Sequence, residues 1–488
     1  MPKRFKHQEK EWAHRYDVSR ALLWQMRTGK TRAVVEHACA LHDSLTINGV
    51  VVIAPNGVHR QWAEEQIPLW GRGEQDTFAW RYSDPENRQN WELWRLFVHT
   101  PILHWLCINM EVLIKKEIQD IIKWFKEEVG PAMLVVDESH HMARPSARRT
   151  AVARWLGRMF EYRRILTGTV MENSPFQAFS QFEILERGAL GHTTFGGTSK
   201  KSKASRHICP TCGPHCRGFK NEFATWRMER RGGHQIAVLD EYQNLDVLKK
   251  RMSRLASVVL RSDCEDLPPL MHDRRIVEME PEQQQVWNAV KNKELEAGVE
   301  HVFDGGAALV KLQQVEGGCW LNKDKTIKEI VPVGRNPKLL ILLDEIQLYD
   351  GQVIVWFEYL HEIDAAFKFL SSQGIKCGVF SGREKNRDHY LTAFKAGKLH
   401  VLLAQPRAGG EGRDMSVASK IIWYSQTPDA IVRTQANERA TKMGAKSVEI
   451  IDLVAPVGKY FLSITDRKST LANNVARYGL RAILNKLK

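Results

Sequence analysis

Two short segments of this 488-residue chain carry side chains that could act together on a phosphate group. The first, Met26–Thr31 (MRTGKT), has the glycine, lysine and hydroxyl side chain of a phosphate-binding turn that leads into a helix. Gly29 would permit the tight turn, Lys30 would reach the β- and γ-phosphates, and the Thr31 hydroxyl would bind Mg²⁺. Thr28, in the same turn, is also expected to contact the nucleotide.

The second segment, Asp137–His140 (DESH), directly follows the apolar run Met133–Val136. Asp137 would hold Mg²⁺, usually through water, and Glu138 would orient or deprotonate the attacking water. Each segment alone could arise by chance, and the first lacks the glycine that the full phosphate-loop pattern has at Trp24. Their order along the chain nevertheless predicts hydrolysis of ATP or GTP.

The length of 488 residues predicts two to four domains, and a hydrophobic content of 43% is ordinary for a globular protein with a core. The N-terminal residues lack the apolar run of a signal peptide, and no stretch of 18 or more apolar residues suggests a membrane span. Eight cysteines, mostly scattered singly, favour reduced thiols in a cytoplasmic setting. The formal net charge of +14 indicates a polyanionic partner, although solubility alone is the alternative explanation.

Apolar β-branched runs alternate with helical patterns, which predicts an α/β fold with parallel sheets flanked by helices. The first set of runs lies at Gly49–Ile53, Met133–Val136 and Ile165–Leu166, with helices over Thr31–Leu41 and Glu111–Glu128. The second set lies at Val353–Phe357, Cys377–Phe380, Val401–Leu403, Ile421–Tyr424 and Val448–Leu453. We therefore expect one α/β domain over residues 1–190, a second over 336–488 that ends in a basic helix, and a less strand-like region over 191–335.

The order of the short motifs resembles helicase superfamily two, and within it the Swi/Snf-type ATPases that translocate on double-stranded DNA. The matching segments are Arg4–Gln8, Ala54-Pro55 with Gln61-Trp62, Asp137–His140, Leu166–Thr169 with Asn173 and Pro175, Val259–Arg261, Leu267–Pro269 with Glu280–Gln283, Ala408–Gly412, and Gln435–Arg439. These segments run through nearly the whole chain in the order that the family has.

The resemblance implies two RecA-like domains with ATP and Mg²⁺ in the cleft between them. Gln8 would read adenine, and Gly412 would also lie at the nucleotide. Arg439 would be an arginine finger that stabilises charge on the transferred phosphoryl group. Family members usually carry a second arginine where this chain has Lys442, and a lysine cannot make the same bidentate contact.

The resemblance also implies contacts with the phosphate backbone of DNA, without sequence specificity and with duplex DNA as the favoured form. The residues expected there are Pro55, Gln61, Trp62, Thr167, Thr169, Gly409 and Gly410. A strand-separating DNA or RNA helicase is the close alternative. A nucleic-acid-binding scaffold with an impaired ATPase is the alternative from another class, and the intact Lys30 and Glu138 argue against it. The short chain favours a bacterial or phage-infected cell as its setting.

A basic loop over residues 199–231 holds nine Lys or Arg against two Glu. Cys209 and Cys212 have the spacing of zinc ligands, and Cys216 with His207 or His215 could complete a tetrahedral site. A zinc-bound, DNA-contacting insertion is one interpretation, and a mobile loop with incidental thiols is the other.

Overall fold

The structure, a computed structural model, describes residues 3–81, 85–168, 174–196, 218–231, 234–260, 263–264, 270–296, 306–322, 326–408, 414–440 and 447–466. These residues form two compact units that divide in the sequence after Cys264. Each unit is built on its own parallel sheet.

The first unit contains a seven-stranded sheet and a separate antiparallel hairpin. Its strands are β1 Ser19–Trp24, β2 Gly49–Ala54, β3 Gln75–Ala79, β4 Leu103–Asn109, β5 Ala132–Val136, β6 Tyr162–Leu166, β7 Ala224–Arg231, β8 His234–Tyr242 and β9 Ala256–Val259. The sheet order is β3-β4-β2-β5-β6-β1-β9, and β7 pairs with β8 in the hairpin. Every neighbouring pair in the sheet is parallel, so the carboxyl ends of β1, β2, β5 and β6 lie along one edge.

The helices of the first unit are α1 Lys6–Trp12, α2 Lys30–Asp43, α3 Val58–Gln61, α4 Ile67–Trp70, α5 Pro85–Trp94, α6 Lys116–Val129, α7 Arg148–Leu156, α8 Gln177–Leu185, α9 Phe219–Glu222 and α10 Leu245–Ser253. A π-helical turn spans Trp62–Gln66, and 3-10 turns span Arg95–Phe97 and Ser139–Met142. Strands β2, β4 and β5 are buried along their whole length, as expected for a parallel sheet covered by helices on both faces.

The second unit contains a six-stranded parallel sheet and a short antiparallel pair. Its strands are β10 Leu270–Ile276, β11 Cys319–Leu321, β12 Ile327–Glu329, β13 Val353–Trp356, β14 Cys377–Phe380, β15 Val401–Ala404, β16 Lys420–Trp423 and β17 Val448–Val454. The order in the large sheet is β10-β17-β16-β13-β15-β14. The helices are α11 Pro281–Glu296, α12 Gly306–Glu316, α13 Pro337–Gln347, α14 Leu360–Ser372, α15 Arg387–Lys395 and α16 Ala430–Glu438, with a 3-10 turn at Val333–Arg335.

The predicted fold class, two parallel sheets flanked by helices, is confirmed. The region expected to be less strand-like, 191–335, nevertheless supplies the edge strand β9 to the first sheet and the edge strand β10 to the second. Strand β10 (LMHDRRI) is largely exposed and polar, so its sequence lacks the apolar run of a buried parallel strand. The boundaries at 190 and 335 stay a prediction, and most of the predicted C-terminal basic helix lies outside the described residues.

Candidate active site

The phosphate-binding turn joins the end of β1 to the start of α2. Gly29 is the residue before the helix and has a φ of +83°, a left-handed conformation that favours glycine. A Cβ atom at Gly29 would lie 2.2 Å from the amide nitrogen of Gln8, so a larger residue would also collide there. The 14-residue helix α2 thus presents its N-terminus, the end that favours anions, directly behind the turn.

Lys30 is only 8% exposed, and its ammonium donates a hydrogen bond of 2.8 Å to the backbone oxygen of Trp24. The neighbouring Thr28 is fully buried, and its hydroxyl donates to the backbone oxygen of Gln25 at 2.6 Å. Thr31 is half-buried at the start of α2. The positive charge of Lys30 is therefore held at the carboxyl end of β1, where a phosphate group can approach the turn.

Helix α1 is bonded to this turn by two of its side chains, Gln8 and His7. The Gln8 amide oxygen accepts from the Phe5 backbone at 3.0 Å, while the amide nitrogen donates to the Gly29 oxygen at 3.2 Å. The Nε2 atom of His7 lies 2.7 Å from the Thr28 oxygen. The sequence pattern indicated Gln8 but not His7, because a single histidine near the start of a helix does not by itself indicate a function. The role of Gln8 in reading adenine stays a prediction.

Trp24 stands where the phosphate-loop pattern has a glycine, and the structure shows how the tryptophan is accommodated. Its side chain is fully buried, and its indole nitrogen donates to the Ser257 hydroxyl on the neighbouring strand β9 at 2.8 Å. The bulky ring is therefore tied to the sheet. This departure from the pattern is consistent with a working phosphate turn.

The Asp137-Glu138 pair lies at the carboxyl end of β5, where the Asp137 backbone donates to the Ile53 oxygen at 2.8 Å and so prolongs the ladder with β2. One Asp137 carboxylate oxygen accepts from the indole of Trp62 at 2.8 Å, and the other accepts from the Glu138 backbone at 2.9 Å. Glu138 has a φ of +46°. A non-glycine residue held there costs on the order of 1–3 kcal/mol, and such strain is typical of functional sites.

Burial raises the pKa of Asp137 well above its usual range, and the adjacent Glu138 carboxylate adds to the shift while Lys30 opposes it. Burial alone would raise the pKa of Glu138 as well, but the hydrogen bond from His140 and the charge of Lys30 lower it below its usual value. Glu138 is therefore ionised at neutral pH. Two buried carboxyl groups that share one site and resist joint ionisation fit a divalent cation, which favours both charged forms.

His140 connects the acidic pair to the next strand. Its Nδ1 atom lies 3.2 Å from a Glu138 carboxylate oxygen and 3.1 Å from the hydroxyl of Thr167, which directly follows β6. The hydroxyl of Ser139 donates to the side-chain oxygen of Gln181 on α8 at 2.8 Å. Hydrogen bonds thus connect the turn after β5, including the Glu138 carboxylate, to the end of β6 and to α8. Sequence reasoning missed Gln181.

The residues expected to contact nucleic acid differ in exposure. Gln61 is half-buried at the end of α3, and Pro55 is buried just after β2. Trp62 is 1% exposed and Thr167 is fully buried, with their polar atoms directed to Asp137 and His140. As whole residues, these last two are therefore almost inaccessible in this structure. Whether the four residues contact nucleic acid stays a prediction.

In the second unit, Arg439 follows α16 and is 4% exposed. Its guanidinium lies 5.5 Å from the ring centre of Trp356, the last residue of β13, and its backbone oxygen accepts from Met415 at 2.9 Å. Helix α16 is anchored by Arg433, which makes two hydrogen bonds of 2.6 and 2.8 Å to the Asp452 carboxylate. The predicted finger is thus held on a fixed element of this unit.

Several predicted residues lie outside the described residues: Thr169, Asn173, Gly409, Gly410, Gly412, Lys442 and the five candidate zinc ligands His207, Cys209, Cys212, His215 and Cys216. Among the residues that are described, no group of three or more His, Cys, Asp or Glu could hold a metal ion. In the same part of the chain, no helix combines the length and the apolar character needed to cross a membrane.

Comparison with known proteins finds similarity to helicases and related ATPases. Residues 337–444 match the model of the helicase conserved C-terminal domain. An uncharacterised ATP-dependent helicase of Mycoplasma genitalium is 23% identical over 346 residues, which cover 68% of this chain and 29% of that protein. The chromatin-remodelling ATPase INO80 of Schizosaccharomyces pombe is 28% identical over 121 residues, or 24% of this chain and 8% of that protein. The chain thus spans less than a third of the length of these relatives.

Among solved structures, the SWI2/SNF2 ATPase core of Sulfolobus solfataricus in complex with double-stranded DNA aligns over 98% of this chain and 94% of that one, with a TM-score of 0.39 and 15% identity. The helicase-domain match and the helicase and chromatin-remodelling relatives support the predicted resemblance to the Swi/Snf-type ATPases of helicase superfamily two. These relatives are named as an ATP-dependent helicase and as an ATPase.

Proposed function

We propose that the chain hydrolyses ATP with Mg²⁺ and uses the hydrolysis to move along duplex DNA. The observation that carries the catalytic part is the buried Asp137-Glu138 pair at the end of β5, within electrostatic reach of Lys30. The charge of Lys30 opposes the rise in the pKa of Asp137 and contributes to the lowered pKa of Glu138. The relatives are named as an ATP-dependent helicase and a chromatin-remodelling ATPase, and we extend ATP-driven activity from them to this chain.

Each residue of the site has a separate task in this proposal. The left-handed turn at Gly29 and the N-terminus of α2 bind the phosphates, and Lys30 supplies the cation beside them. Glu138, ionised at neutral pH, accepts the proton of the attacking water, and His140 orients the Glu138 carboxylate. Asp137 and Thr31 would hold Mg²⁺, which when bound offsets the negative charge of the phosphates. Arg439 would stabilise the charge on the transferred phosphoryl group.

Two observations bear on the choice of duplex DNA as the nucleic acid, the net charge of the chain and the names of its relatives. The chain carries a formal charge of +14, which suits a phosphate backbone read without sequence specificity. One relative is named a chromatin-remodelling ATPase, which favours DNA, whereas another is named an ATP-dependent RNA helicase. A strand-separating helicase acting on DNA or RNA is the second candidate, supported by the relative named an ATP-dependent helicase. That relative is mycoplasmal, which favours the cytoplasm of a bacterial or phage-infected cell as the setting.

The test is the ATPase rate of the purified protein with duplex DNA, single-stranded DNA and RNA in turn. We expect duplex DNA to stimulate turnover most, and Lys30→Ala to abolish turnover with every nucleic acid. Greater stimulation by RNA or by single strands would favour the second candidate. Turnover at the same rate in Lys30→Ala would refute the ATP site. The zinc site also stays a proposal, and the zinc content of protein purified without chelators would test it.

A further inference from the structure

Trp62 lies where two functional segments of the first unit meet. Residues Pro55–Gln61, which are proposed to face nucleic acid, connect the end of β2 to Trp62. The π-helical turn Trp62–Gln66 begins at this tryptophan. Single π-helical turns are uncommon and frequently occur at functional sites, because they displace a side chain from the position that a regular helix would give it.

The side chain of Trp62 reaches the Asp137-Glu138 pair. The Trp62 indole nitrogen donates to one Asp137 carboxylate oxygen at 2.8 Å, and both residues are buried, at 1% and 6% exposed. The second Asp137 oxygen accepts from the Glu138 backbone at 2.9 Å. With a donor on each oxygen, the plane of the carboxylate is fixed, while the remaining lone pairs stay available to a cation. Hydrogen bonds to an ionised group are about twice as strong as neutral ones.

Trp105, on strand β4 of the same unit, offers a comparison. Trp105 on β4 is fully buried, and its indole nitrogen donates to the side-chain oxygen of Gln75 on the adjacent strand β3 at 2.9 Å. Both tryptophans therefore fill the interior and satisfy their indole nitrogen. They differ in the partner, which is a neutral amide for Trp105 and the proposed magnesium ligand for Trp62. Burial of the ring therefore does not by itself require a carboxylate as the partner of the indole nitrogen.

We propose that Trp62 is a positioning residue that holds the Asp137 carboxylate for Mg²⁺ and so links nucleic-acid binding at Pro55–Gln61 to the ATP site. A shift of the segment that ends at Gln61 would move the adjacent indole, and with it the carboxylate. The link to nucleic acid rests on the proposed function. The positioning of Asp137 rests only on the geometry of the first unit.

The experiment compares Trp62→Phe with Trp105→Phe as a matched control, because both changes keep an aromatic ring and remove one buried donor. The first measurement is the Mg²⁺ concentration needed for half-maximal binding of a fluorescent ADP. Loss of a residue that orients a metal ligand typically weakens metal binding by about 10- to 100-fold. We expect a rise of about 10-fold or more in Trp62→Phe and the wild-type value in Trp105→Phe. The second measurement is the ratio of ATPase rates with and without duplex DNA, which should fall in Trp62→Phe only.

The outcomes separate this proposal from the proposed function. Unchanged Mg²⁺ dependence in Trp62→Phe, or an equal change in both variants, would overturn the positioning role. If the wild-type rate does not respond to any nucleic acid, the proposed function and the link fail, and the Mg²⁺ measurement still decides the positioning of Asp137. Trp62→Met is a second variant without the donor, and its flexible but smaller side chain can adapt to part of the space. If neither Trp62 variant folds while Trp105→Phe does, Trp62 is a core residue only.

Discussion

Glu138 combines a strained backbone with a carboxyl group that stays ionised despite its burial. Replacing the carboxylate by an amide in Glu138→Gln keeps the size of the side chain and removes the proton acceptor. General-base catalysis typically contributes about 10²- to 10⁴-fold, so we expect turnover to fall by at least 100-fold. Binding of ATP and DNA should remain, since neither depends on this proton transfer. Steady-state ATPase rates and nucleotide-binding affinities would be measured for Glu138→Gln. The control is Glu127→Gln, a change at an exposed residue of α6. Undiminished hydrolysis in Glu138→Gln would remove its assignment as the base.

Arg439 and Lys442 are the two cations that the resemblance predicts beside the phosphoryl group. If both act in the transition state, their loss should slow turnover more than it weakens ATP binding. The planar guanidinium suits a phosphoryl group better than an ammonium, so Arg439→Ala should be the more damaging change and Lys442→Ala the milder one. Lys442→Arg should leave activity unchanged or raise it. Kinetics with saturating DNA would compare the three variants. An inactive Lys442→Ala beside an active Arg439→Ala would make the lysine the finger.

The turn between β1 and α2 holds Gly29 at a φ of +83°, which other residues rarely adopt, and a Cβ atom there would also force the side-chain amide of Gln8 to move. Gly29→Ala should therefore distort the turn and weaken ATP binding by more than about 10-fold, since a left-handed alanine alone costs roughly 1–2 kcal/mol. Gly130→Ala at the end of α6 is the matched control, because Gly130 has a φ of +75° and open space around it. Nucleotide affinities and melting temperatures of both variants would be measured. Equal ATP binding in Gly29→Ala and wild type would show that the turn tolerates a side chain.

The elements that the sequence predicted best are those with continuous apolar runs, such as β2, β5 and β13, because complete burial leaves a strong local pattern. The edge strand β10 was missed, since a largely exposed strand needs no such pattern. In the site, the motif residues were predictable from their spacing. The hydrogen bonds from Trp62 to Asp137 and from Ser139 to Gln181 were not, because they join residues distant in sequence and depend on how the elements pack.

At the scale of the whole molecule, a formal charge of +14 accompanies an ATP site whose own residues are mostly buried. DNA affinity should therefore come from cations distributed over the surface and should be independent of catalysis. We expect duplex affinity to fall steeply as salt rises from 50 to 200 mM, because each phosphate contact releases counterions. Duplexes of unrelated sequence should bind within about twofold of each other, since backbone contacts do not read bases.

Fluorescence anisotropy titrations at several salt concentrations would measure both dependences, with Glu138→Gln as the control that removes hydrolysis and preserves charge on the surface. The wild type and this variant should give the same slope of log affinity against log salt, because the buried Glu138 makes no phosphate contact. An affinity that differs more than tenfold between sequences would indicate base contacts and contradict movement along arbitrary DNA. If the affinity for DNA did not depend on salt, the excess positive charge would serve solubility, and DNA would be bound mainly by non-ionic contacts.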